Sequence, residues 1–136
     1  MNNAAVLIDT TTGQLGTLTS SRRYKEDIQD MGDASNGLMR LRPVTFRYKQ
    51  PASDGSKPMQ YGLIAEEVAE VYPDLVAHSA DGEIETVRYQ VLPSMLLNEV
   101  QRQQREISAK KDEIRALQER LEKLEAALVG ALPGSR

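Results

Sequence analysis

The sequence predicts an α+β fold: a small mixed helix/strand domain followed by one long C-terminal helix that forms a parallel coiled coil. Three observations predict it. Apolar residues recur in alternating steps of four and three from Leu96 to Leu128, the mark of a sustained heptad seam. V-T-F-R-Y-K, residues 44–49, alternates apolar and polar like a half-buried strand. Between residues 20 and 92 the periodic segments are short and punctuated by Gly, Pro, Asp and Ser, which break a chain into small elements.

The elements follow in order. Residues 1–19, with Val6, Ile8 and Leu15 around the turn signal Thr11-Thr12-Gly13, read as a short hairpin or frayed strand. They hold too few apolar groups to fold alone and are expected to be an upstream arm or the end of a β-rich stalk. Residues 20–32 are expected as a helix: Ser20 or Ser21 can cap it, Tyr24, Ile28 and Met31 share a face, and Gly32 can end it. Residues 36–42 give a second helical turn, stopped before Pro43. Val44, Phe46 and Tyr48 form one face of a strand, a polar loop covers 50–58, and 60–64 form a short strand. A-E-E-V-A-E-V-Y is a helix closed by Pro73; residues 74–83 are a loop containing His78; Val87, Tyr89 and Val91 mark a last strand. The mixed domain thus spans 20–92, the coiled-coil helix 93–129, and 130–136 a disordered tail.

In the helix, Val100, Ile107, Ile114, Leu121 and Leu128 fall at a, and Leu96, Gln103, Lys110, Leu117 and Leu124 at d. From Leu96 to Leu128 it would be roughly 50 Å long at ~1.5 Å per residue, too long for so small a domain to cover. Glu106 at g faces Lys111 at the next e, and Arg120 faces Glu125, which favours parallel chains. Ile at a with Leu at d leans towards two strands, whereas R-L-E-K-L-E, Arg120 to Glu125, fits the short trimeric pattern; the residues leave the number open. Gln103 and Lys110 interrupt the seam, either fixing its register or letting the helices part.

Composition narrows the chemistry. There is no cysteine and a single histidine, His78, so disulfides, thiolate nucleophiles and multi-histidine metal sites are excluded, and no cofactor is expected. No basic-then-apolar leader opens the chain and no run approaches ~20 apolar residues, so neither secretion nor a membrane partner is expected. The net charge is −3, with balances of +3 over 20–50, −6 over 51–92 and +1 over 93–136. Neighbouring basic and acidic segments are expected to neutralise each other. Without stacking aromatics in the basic stretch, a nucleic-acid partner is not expected; an adaptor or DNA-binding dimer using Arg22, Arg23, Arg40 and Arg42 ranks far below. Aromatic content is 4%, with one Phe and no Trp. A core this size seldom supplies more than ~3–5 kcal/mol, so association of copies is expected.

The residues able to do chemistry lie in S-S-R-R-Y-K, Ser20 to Lys25. A serine becomes a nucleophile when a base takes its proton, and lysine can be that base if its charge is suppressed. From a reference pKa of ~10.4 to a useful ~7–8 is about 4 kcal/mol, which burial and the neighbouring Arg22 and Arg23 would have to supply. Free N–H groups at the helix start could stabilise an oxyanion. On spacing alone, Ser20 is read as a cap. Glu66, Glu67 and Glu70 are read as an exposed helix face, and His78 as solvated.

The motifs change that balance. T-S-S-R-R-Y-K-E-D-I, L-R-P-V-T-F-R-Y-K, Y-G-L-I-A-E-E-V and V-R-Y, in that order and followed by heptads, resemble the C-terminal intramolecular chaperone domain of phage tailspikes and tail fibres, the S74 peptidase domain. Endosialidase tailspikes carry it, and myelin regulatory factor has a related domain. The resemblance covers about residues 15–128. It implies a homotrimer that guides an N-terminally fused fibre or tailspike stalk into register and then cuts itself off. The motif S-x-x-R-x-K places Ser20 as nucleophile, Lys25 as base and Arg23 as the motif arginine, with Thr19–Ser20 as the scissile bond. Ser21 stands where many members have Asp and supplies a second hydroxyl. The trimer would be held by Val100, Ile107, Ile114, Leu117, Arg120, Leu121, Leu124, Glu125 and Leu128. The resemblance also implies action in the host bacterial cytoplasm during phage assembly, with the client in the virion tail and the cleaved domain absent from the mature particle. The alternative is a folding and trimerisation cap that does not cut.

Overall fold

The computed structural model describes residues 6–134; what the sequence predicts for 1–5, 135 and 136 lies outside the described residues. The chain parts into two compact units, one ending at Leu96 and the other beginning at Leu97.

In the first unit, strands β1 (Val6–Ile8) and β2 (Leu15–Thr17) pair antiparallel, with Val6 opposite Thr17 and Ile8 opposite Leu15. Their turn is built by Asp9, whose carboxylate accepts the backbone N–H of Thr12 at 2.8 Å and of Thr11 at 2.9 Å. Those bonds, Thr12 foremost, hold the Asp9 carboxyl below the usual carboxylate range. Gly13, at φ 73°, takes the left-handed position that closes the loop. The expected hairpin is present, and the Thr10 hydroxyl donates to the His78 carbonyl oxygen at 2.8 Å.

The expected helix over 20–32 does not form. Its place is taken by a single 3-10 turn, Arg22–Tyr24, after which Lys25 is extended at φ −125° and Asp27 is left-handed at φ 51°. A helix this short draws its stability from packing an apolar face. Tyr24 and Ile28 are 59% and 54% exposed, and of that face Met31 alone packs against the core, so in the single chain the face is not covered along its length. Gly32, expected as the stop, instead begins a 3-10 helix, Gly32–Arg40, that takes in residues 36–40 of the predicted second turn and ends before Pro43, with Leu41 already extended.

β3 (Val44–Phe46) pairs antiparallel with β4 (Gln60–Gly62). Val44 and Phe46 are half-buried and Thr45 is exposed, as alternation requires, but the strand ends before Tyr48. The Tyr48 ring meets Phe46 edge-on, with centroids 5.3 Å apart. Helix α1 (Ala65–Val71) has Glu66 and Glu67 in its first turn, where the helix dipole favours negative charge, and stops before Pro73. Glu66 and Glu70 are exposed, as expected of that face, but Glu67 is half-buried, because its carboxylate accepts from Nε and Nη2 of Arg42.

The segment 74–83, expected as a loop, carries strand β5 (Val76–His78), paired antiparallel with β6 (Ile84–Val87). Val76 and Val87 lie opposite one another and both are buried, so their contact pulls a loop-like sequence into a ladder. The predicted strand at 87–91 correspondingly ends at Val87, and Tyr89–Val91 form a 3-10 turn. The core joins Leu38, Val68, Leu75, Val76, Val87 and Met95, small as the composition implied. Val68, at 1% exposure, is its centre.

One position in this unit is tightly constrained. The Tyr72 hydroxyl donates to the Ala34 carbonyl oxygen at 2.9 Å, and a Cβ on Gly37 would stand 2.7 Å from that hydroxyl. Gly37→Ala is therefore expected to displace the ring and cost about 1–3 kcal/mol. Urea unfolding checks it, with a lower midpoint at unchanged slope as the expected result.

Helix α2 (Leu92–Ala131) runs 40 residues, about 60 Å at ~1.5 Å per residue. Pro93 is accommodated in its first turn, where no intrahelical N–H bond is lost. The helix continues through Gly130 and Ala131, two residues into the expected tail.

Candidate active site and association face

Thr19 and Ser20 lie between β2 and the 3-10 turn, without regular structure. Ser21 precedes the turn, but its hydroxyl makes no capping bond. The Tyr24 N–H donates to the Ser21 carbonyl oxygen at 3.1 Å, and the Lys25 N–H to that of Arg22 at 3.0 Å. This tight turn followed by an extended residue brings Lys25 back towards Ser20, and Lys25 Nζ donates to Ser20 Oγ at 3.2 Å. On a regular helix, five positions are about 140° apart. The loss of the expected helix is thus compatible with the meeting of hydroxyl and amine.

The same loss removes the expected oxyanion site, since one three-residue turn has no helix terminus of consequence. Arg23 is turned onto the Tyr24 ring, 4.7 Å from its centroid, a cation–π contact that braces the turn. Residues 19–30 are all exposed. In the single chain the Ser20–Lys25 pair is open to water, and Lys25 Nζ stands as the donor to Ser20 Oγ. Base chemistry needs the opposite polarity, with the amine accepting from the hydroxyl.

A concavity of about 580 Å³ over the β3–β4 loop is lined by Tyr48, Lys49, Pro51 and Lys57 among others and includes neither Ser20 nor Lys25. His78 is exposed at the end of β5. Among the described residues no group of three or more His, Cys, Asp or Glu is placed to hold a metal, and no helix is long and apolar enough to cross a membrane.

On α2, Val100, Ile107, Ile114, Leu117, Leu121, Leu124 and Leu128 are between 49% and 68% exposed. They form the uncovered apolar stripe that the heptads predicted, and Arg120 and Glu125 flank it. Sequence reasoning missed the partners of the two polar seam residues. Gln103 Nε2 donates to Glu99 Oε1 at 3.3 Å, and Lys110 Nζ to Glu113 Oε2 at 3.1 Å. The three- and four-residue spacing of neighbours on a helix was the available signal.

The peptidase S74 family, described as the chaperone of endosialidase, matches residues 20–77. No curated protein matches the chain.

Proposed function

Residues 20–77 belong to the chaperone-of-endosialidase family, and from that premise we propose that the protein is a trimeric intramolecular chaperone that cuts itself from its client at Thr19–Ser20. The client is an N-terminally fused fibre or tailspike stalk of a phage or prophage. The observation that carries the reading is the 3.2 Å approach of Lys25 Nζ to Ser20 Oγ, at the residue where the family match begins.

The chemistry needs a neutral Lys25. Its amine takes the Ser20 hydroxyl proton while Oγ bonds to the Thr19 carbonyl carbon. The bond from that carbon to the Ser20 nitrogen then breaks, and the nitrogen takes up the proton. Water attacks the resulting ester, leaving a Thr19 carboxylate and a chain that starts at Ser20 with its hydroxyl restored. Burial on association supplies what the exposed pair lacks, because desolvation disfavours the ammonium. Cutting would then wait for assembly.

Association is assigned to the α2 stripe. Three joined chains convert strand pairing of their clients from a bimolecular search into an intramolecular one, which matters because non-local β pairing is slow and prone to aggregation. Cleavage then makes the assembled client kinetically trapped. The work is done in the host bacterial cytoplasm during assembly; the client goes to the virion tail and the freed domain does not.

The second reading is a folding and trimerisation cap that never cuts, favoured by the exposure of residues 19–25 in the single chain. Intact mass under denaturing conditions together with native light scattering tests both. The proposal expects three chains, each lacking everything before Ser20. Three uncut chains support the cap, and a solitary chain removes both readings.

A further inference from the structure

The apolar stripe of α2 is not uniform. Its C-terminal half, from Ile114 to Leu128, has an aliphatic residue at every a and d position, whereas Gln103 and Lys110 occupy d in the first half. A shallow groove there is lined by Gln103, Glu106, Ile107, Lys110, Lys111 and Ile114. Those six residues make up two overlapping four-residue holes of a parallel heptad seam. Gln103, Glu106, Ile107 and Lys110 would receive an a-position side chain, and Ile107, Lys110, Lys111 and Ile114 a d-position one. The occupants that fit are Ile107 and Lys110 of another copy in the same register, and Glu106 and Lys111 carry opposite charges on the two rims.

A polar residue in such a seam has two opposite uses. It fixes register when its polar group must find a partner across the axis. It makes a seam easy to open when its polar group is already satisfied at home. Gln103 is bonded to Glu99 and Lys110 to Glu113, each on its own helix. Opening the seam at these layers strands no polar group, and closing it buries methylene stems instead of branched aliphatic side chains.

On the reading that copies associate through α2, we infer that the helix is a two-part clasp: residues 114–128 hold the copies together, and residues 97–112 open and close while they stay held. The clasp joins chains firmly enough to nucleate assembly and leaves the half next to the cleavage domain in sequence free to part.

Deuterium exchange on the full chain, at a concentration where light scattering shows association, tests this. Amides in 97–112 are expected to exchange at least about ten-fold faster than those in 114–128, against the trend of fraying, which favours the C-terminal end. In the Gln103→Leu/Lys110→Leu variant the two halves are expected to match. Even exchange in the associated unaltered chain overturns the inference, as does a variant whose first half gains no protection. A chain that is solitary at every concentration overturns the association reading, and this one with it.

Discussion

Ser20→Ala is expected to leave one band on a denaturing gel where the unaltered chain, carrying its upstream client, gives two. In the proposed mechanism Ser20 Oγ forms the new bond to the Thr19 carbonyl carbon, so removing it is expected to slow cleavage by at least about 10³-fold, the scale seen when a nucleophile is deleted. Lys25→Met, which keeps the length of the side chain and removes the amine, is expected to act as strongly. Ser21→Ala is the discriminating control. The Ser21 backbone, not its hydroxyl, takes part in the 3-10 turn, so this variant is expected to cut normally. If Ser21→Ala blocks cleavage and Ser20→Ala does not, the assignment is wrong. The sign of the pH dependence follows from the chemistry: only an unprotonated amine accepts the hydroxyl proton, so cleavage is expected to accelerate as pH rises. A rate that falls with pH would exclude lysine as the base.

The second large effect is expected from Leu121→Asp. Leu121 lies at an a position, 54% exposed in the single chain, within the all-aliphatic half of the stripe. Full burial of a leucine contributes about 1.5–3 kcal/mol, and in the proposed trimer the loss would be felt in every chain. The replacement also brings like charges together near the axis, where desolvation adds several kcal/mol. Light scattering at micromolar concentration is expected to fall from three chains to one. Cleavage is expected to be lost with it, although Ser20 and Lys25 are untouched. Undiminished cleavage in a solitary Leu121→Asp chain would show that assembly does not gate the chemistry.

The elements that could be read from the sequence are those whose reasons are local. Heptads specify a face regardless of what covers it, and α2, Leu92–Ala131, spans the whole heptad run from Leu96 to Leu128. Pro73 stops α1, and Asp9 with Gly13 shapes the first turn, through contacts only a few residues apart. The elements that could not be read depend on distant partners. Tyr24, Ile28 and Met31 have helical spacing, but spacing does not reveal whether a surface exists to receive them. Val76 became a strand because Val87 lies opposite it, a pairing that a polar loop around His78 conceals. The candidate site was legible as a motif, Ser20 and Lys25 five positions apart. Its geometry was not, since the predicted helix would have turned the two side chains away from one another.

The hydrogen bond from Thr10 to His78 straddles the proposed cut, with its donor upstream of Thr19–Ser20 and its acceptor downstream. Breaking the backbone there would yield two pieces that begin as neighbours in a non-covalent complex. A bond of this class is worth ~1 kcal/mol net, a several-fold bias that tethering magnifies while the chain is whole and that dilution overwhelms once it is not. On the proposed chemistry, scission and departure would be separate events with separate clocks, the first set by proton transfer and the second by how quickly a weak stitch unpicks.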